Sequence, residues 1–91
     1  MTIQTLKKSD VTENLQQEIT ILYKQLNSSI RQLPLREVLE DEERIVFVYC
    51  VIDAKVVGIA SMALYKVLSG SKGMIEDVVV DTAHRLSLIH I

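Results

Sequence analysis

Hydrophobic positions in this chain change period part-way along. Spacings of three and four in the first third give way to near-continuous apolar runs after Arg44. Ile3 to Leu6 predicts a short first strand. Val11, Leu15, Ile19, Leu22 and Leu26 then recur every three or four residues and form one stripe of an amphipathic helix. Asp10 is the expected N-cap of that helix, with Glu13 three residues on as in a capping box. Asn27-Ser28-Ser29 predicts its end, because these side chains compete for backbone hydrogen bonds. Pro34 opens a second, shorter helix expected over Leu35 to Glu43. Its run Glu40-Asp41-Glu42-Glu43 opposes the macrodipole near a helix C-terminus, so this helix is expected to be weak, with the run facing solvent.

Ile45 to Ile52 is rich in β-branched and aromatic residues and predicts a strand. Asp53-Ala54-Lys55 makes a short turn and Val56 to Tyr65 a second strand, a hairpin with a connection of two to four residues. Both strands are apolar on both faces, which predicts central positions in a sheet covered on two sides. Gly58 predicts a bulge or a close backbone approach. Ser69 to Gly73 is expected as a connecting loop; it fails the phosphate-loop spacing and leads into a strand rather than a helix. Met74 to Asp81 predicts a fourth, buried strand. The order β-α-α-β-β-β points to an α+β fold with a mainly antiparallel sheet. No Gly-rich strand-to-helix turn suited to a dinucleotide is present.

Composition narrows the function classes. Ninety-one residues make one small domain, and a net charge of −2 with scattered basic residues argues against nucleic acid. One cysteine, Cys50, excludes an internal disulfide and fits a reducing compartment. The first residues lack the pattern of a signal peptide, and the apolar runs fall short of the ~20 residues of a membrane span, so a cytoplasmic location without membrane association is expected. His84 and His90 lack a third ligand at useful spacing, so no metal is expected.

The candidate chemistry lies in Glu76-Asp77-Val78-Val79-Val80-Asp81. Strict alternation puts Met74, Glu76, Val78 and Val80 on one face, and Ile75, Asp77, Val79 and Asp81 on the other. The adjacent carboxylates Glu76 and Asp77 then point apart and cannot share a proton. Beside apolar neighbours Glu76 has the setting of a general base; the plainer reading pairs it with a lysine or a backbone amide at the sheet edge. Cys50 reads as a small core residue, and Tyr23, Tyr49 and Tyr65 as packing residues.

Val56-Val57-Gly58-Ile59-Ala60, followed by Ile75-Glu76-Asp77-Val78-Val79-Val80-Asp81 and Arg85, closely resembles the GNAT superfamily of N-acetyltransferases. The fourth-strand motif resembles small-amine members, including glucosamine-phosphate N-acetyltransferases. The resemblance covers roughly residues 2 to 85 and implies the N-terminal half of a GNAT-like fold, truncated after the fourth strand. It implies acetyl transfer from acetyl-CoA to a small primary amine. By position, backbone groups of Val78, Val79 and Val80 would hold the pantetheine arm and polarise the thioester. Glu76 would assist proton removal from the amine, and Glu76 and Asp77 would contact substrate. A homodimer is common in such enzymes.

After this strand the family carries Gln or Arg, two free positions, Gly, one free position, then Gly or Ala. Arg85 matches the first position, but Leu88 and His90 stand at the small-residue positions, where β-carbons hinder approach to phosphates. The expectation is therefore a partial domain over 1–85, and a tail over 86–91 that does not match the family and comes from a cloning or gene-model junction. The 91-residue chain is expected to lack the cofactor loop and to be inactive. Resequencing the transcript tests this; a genomic stop codon directly after Ile91 would contradict it. Two other readings stand beside the enzyme: a non-catalytic fragment, and an interaction module pairing through an exposed fourth strand.

Overall fold

The computed structural model describes residues 1–25, 29 and 31–84. The chain runs β1 (Thr2–Thr5), α1 (Glu13–Lys24), α2 (Leu35–Val38), β2 (Ile45–Ile52), β3 (Lys55–Val67) and β4 (Gly70–Val80), with single 3-10 turns at Lys8–Asp10 and Thr82–His84. This is the expected α+β order. The four strands form one antiparallel sheet in the order β1-β2-β3-β4, so β2 and β3 are central as predicted.

Helix α1 starts two residues later than expected. Asp10 belongs to the preceding 3-10 turn, and Thr12 is the N-cap, its Oγ1 accepting from the Leu15 N–H at 3.1 Å. Glu13 in the first turn and Lys24 in the last complement the macrodipole. Leu26 and Asn27-Ser28 lie outside the described residues. Pro34 caps α2 as predicted, but α2 is one turn long and ends at Val38 rather than Glu43. The acidic run that follows is exposed, as its composition implied. Lys8 Nζ lies 3.4 Å from Glu40 and Arg44 Nε lies 3.5 Å from Asp41, surface ion pairs of the kind that contribute little.

Both hairpins close with two residues. Ile52 pairs with Lys55, so Asp53 and Ala54 form the first turn, with φ of 51° and 63°. Such paired positive angles match the right-handed twist of the flanking strands. Val67 pairs with Gly70, so β4 begins at Gly70 and the predicted loop Ser69–Gly73 is mostly strand. A register shift beside Gly58 confirms the bulge expected there.

The helices pack on the sheet face that carries Phe47, Ile59 and Val79, joined by Leu6, Ile19, Leu22 and Leu39. Burying each large apolar side chain stabilises the fold by about 1.5–3 kcal/mol. The opposite face departs from the two-sided cover expected of it. It carries a shallow apolar depression bordered by Ile3 and Val78, which are 59% and 55% exposed. The predicted buried character of β4 is likewise corrected: Val79 is buried, but Met74 and Ile75 are exposed, because β4 is the sheet edge among the described residues. No helix among the described residues is long and apolar enough to cross a membrane.

Candidate functional site

The carboxylate pair sits at a break in the β3–β4 ladder. Glu76 stands opposite Ser61 and Val79 opposite Ile59, which leaves Asp77 and Val78 against the single residue Ala60. The extra residue is a β-bulge, and Asp77 takes a φ of 50°. A left-handed conformation is tolerated by Asp better than by most residues, and it marks a constrained position.

This bulge overturns the strict alternation expected from the sequence. Before it, the even-numbered residues Met74 and Glu76 pair with Ala63 and Ser61; after it, the odd-numbered Val79 pairs with Ile59. By register Glu76 therefore shares its face with Val79, not with Val78 and Val80. Asp77 also reaches that face, where its Oδ1 accepts from the Tyr23 hydroxyl of α1 at 3.2 Å. The two carboxylates are not separated onto opposite faces. Glu76 is exposed, so the apolar surroundings that favoured it as a desolvated base are not what it meets.

Asp77 lines a cavity of about 230 Å³ between α1, the 31–38 segment and the sheet. Phe47 and Ile59 form its apolar floor, and Ser61 lies buried beside them with its Oγ donating to the Glu76 carbonyl at 3.2 Å. Gln32 Nε2 donates to the Thr20 carbonyl at 3.1 Å, which ties the 31–38 segment to α1. Burial, then the negative charge of Asp77, then the hydrogen bond between them raise the pKa of the Tyr23 hydroxyl. Tyr23 thus stays protonated and donates. The sequence pattern gives Tyr23 as a packing residue and does not single out Arg31, which also lines this cavity. Tyr23 lies four residues after Ile19 on the helical stripe, but nothing in that spacing reveals a partner 54 residues away.

Val78, Val79 and Val80 border the depression on the other face, about 270 Å³, together with Gly58, Ala60 and the buried free Cys50. Beyond them the chain turns sharply. Asp81 is buried, accepts from the Ala83 N–H at 3.0 Å and lies 3.7 Å from Lys55 Nζ. The Ala83 N–H lowers its pKa most, with help from Lys55 and His84 and against the opposing effect of burial. Gln25 Oε1 accepts from the Thr82 N–H at 3.1 Å, anchoring this turn to the end of α1. Arg85 and the tail 86–91 lie outside the described residues. Among the described residues, no three His, Cys, Asp or Glu side chains are placed to hold a metal.

No protein-family model and no curated protein matches the sequence. Solved structures do match. An aminoglycoside acetyltransferase from an uncultured soil metagenomic sample, solved with sisomicin, superposes with a TM-score of 0.74 at 16% identity, over 92% of this chain and 58% of that one. Glucosamine-6-phosphate N-acetyltransferase from Arabidopsis thaliana matches at 0.69 and 22% identity, over 97% and 65%. A predicted acetyltransferase from Clostridium acetobutylicum, solved with acetyl-CoA, matches at 0.62 and 13% identity, over 98% and 68%. At these identities the likeness is one of fold: the chain has the N-terminal portion of a GNAT-like fold. It spans roughly three-fifths of the length of these acetyltransferases.

Proposed function

We propose that residues 1–85 form the acceptor-binding portion of a GNAT-type N-acetyltransferase that moves acetyl from acetyl-CoA to a small primary amine, an amino sugar phosphate among the fitting acceptors. The observation that carries this reading is that β4 is a wall shared by two depressions. Asp77 lines the cavity on the helix side, and Val78 to Val80 border the apolar depression on the other. A strand edge between them is where an amine and a thioester can meet.

In this reading the backbone groups of Val78, Val79 and Val80 hold the pantetheine arm and polarise the thioester carbonyl. Backbone dipoles suit that task because they are fixed before the reaction and need no reorganisation. A primary amine is mostly protonated at neutral pH and must lose a proton before it attacks. Glu76 takes that proton through water, which its exposure admits, while Asp77 holds the incoming ammonium. Arg85 begins the segment that meets the pyrophosphate. In this reading turnover belongs to the complete fold, in a cytoplasmic protein.

Release of the CoA thiol, followed with a panel of small amines, tests this on a form in which residues 1–85 are continued by their own reading frame. Glu76→Gln is expected to lower kcat by about 10²–10⁴-fold, the range of general-base catalysis, while acetyl-CoA affinity changes little. Unchanged turnover would remove Glu76 as the base.

A second reading rests on the exposed Met74, Ile75 and Val78 of the edge strand β4. An open apolar edge is a template for strand addition, by a second copy or another chain. Sedimentation of the chain with Ile75→Lys, together with acetyl transfer by the extended form carrying the same change, separates the two readings. Loss of self-association without loss of acetyl transfer would assign the edge to assembly.

A further inference from the structure

We propose that the cavity beside Asp77 selects acceptors by two opposite charges, seating an ammonium on Asp77 and an anionic group of the same small molecule on Arg31. This rests on the acetyltransferase reading for the chemistry that follows, but not for the binding itself. Asp77 and Arg31 are the two charged residues among those lining the cavity, and they come from different walls, the sheet and the connection between the helices. No carboxylate among the described residues forms an ion pair with Arg31. A cavity of about 230 Å³ admits a small molecule, with the two exposed charged groups at its rim and an apolar floor between them.

Tyr23 is the positioning residue. Its hydroxyl occupies Oδ1 of Asp77 at 3.2 Å, which fixes the carboxylate plane and leaves Oδ2 to the ligand. The left-handed backbone at Asp77, with φ of 50°, serves the same end by turning the side chain toward α1. A neutral donor does not compete with an ammonium for the carboxylate, whereas a lysine in its place would pair with it. The anion on the acceptor is a phosphate or a carboxylate, and guanidinium binds either in a fork.

The test is direct binding to the 91-residue chain by calorimetry, without acetyl-CoA. The probes are glucosamine 6-phosphate and glycine, which carry both charges, with glucosamine for the amine alone and glucose 6-phosphate for the anion alone. The two-charge probes are expected to bind about tenfold or more tightly than the single-charge ones. Tighter glucosamine 6-phosphate identifies a phosphate site, and tighter glycine a carboxylate site. Arg31→Ala should weaken every anion-bearing probe about tenfold and leave glucosamine unchanged, with Arg31→Lys recovering part of the loss. Asp77→Asn should weaken every amine-bearing probe and leave glucose 6-phosphate unchanged. Tyr23→Phe should follow the Asp77→Asn pattern in milder form, a selectivity that a purely structural role would not produce. Equal affinity for all four probes, or losses that ignore probe charge, would overturn the proposal. Charge-selective binding without acetyl transfer in the extended form would sink the enzyme reading alone; transfer to neutral-bodied amines regardless of Arg31 would sink this inference alone.

Discussion

The β2–β3 hairpin makes the energetics of the fold testable at one exposed residue. Ala54 occupies the second turn position with a φ of 63°, where its β-carbon crowds the following carbonyl. That conformation costs an L-residue roughly 1–2 kcal/mol, and glycine escapes the cost. Ala54→Gly gains that amount but returns about 0.4–1 kcal/mol through the greater freedom of glycine in the unfolded chain. Ala54 is exposed, so no packing is lost. The net expectation is a stabilisation of about 0–1.6 kcal/mol, centred near 0.8, and at that centre Tm rises by about 3–6 °C for a domain of this size. Urea unfolding followed by circular dichroism measures it, with an unchanged m-value showing that the unfolded state is comparable. Asp53→Gly is the control. It should gain less, because Asp already tolerates its φ of 51°. A destabilising Ala54→Gly would refute the paired-positive-angle turn and the hairpin register built on it.

Other expectations follow from single contacts. Thr12→Ala removes the N-cap acceptor of α1 and should cost about 1 kcal/mol in the same unfolding assay. If Asp10 were the cap instead, Asp10→Ala would carry that loss. Asp81 has its folded pKa lowered, so its contribution is present above the unfolded value and fades as pH falls through the folded one. Stability measured from pH 6 downward should therefore drop through the acidic range, and Asp81→Asn should flatten that drop. An identical profile for both proteins would discount the turn's contacts with Ala83 and Lys55. Leu39→Ala, at a side chain 1% exposed, should cost about 2–5 kcal/mol by leaving a cavity.

Much of the fold was legible because its signals are local. Ile45–Ile52 appears as a strand with the expected bounds, since a β-branched run between turn residues leaves little alternative. Pro34 and Gly58 announced a helix start and a bulge through their own backbone chemistry. The errors have local causes too. Thr12 outcompeted Asp10 as the cap because Lys8–Asp10 closed a turn of its own, with the Asp10 N–H donating to the Lys7 carbonyl at 2.9 Å. The acidic run cut α2 to one turn. Gly70, Ser71 and Gly73 have loop composition, but ladder pairing with β3 outweighs their weak strand propensity.

The site was harder to read than the fold. A period of two holds only while the ladder is regular, and nothing in Glu76-Asp77-Val78 marks the residue at which it slips. The motif placed both carboxylates on one strand, while the face of each depended on a bulge in its pairing with β3. Tyr23 and Arg31 enter the site through contacts between elements, which no pattern along the chain records.

The most direct test of the central claim is an acetyl-CoA titration by calorimetry. It compares the 91-residue chain with a form in which residues 1–85 continue through their own reading frame. The extended form should bind acetyl-CoA in the micromolar range and the short one should show no tight binding. Failure of the extended form to bind would contradict a cofactor platform at Val78 to Val80, and micromolar binding by the short chain would contradict the need for the segment that Arg85 begins.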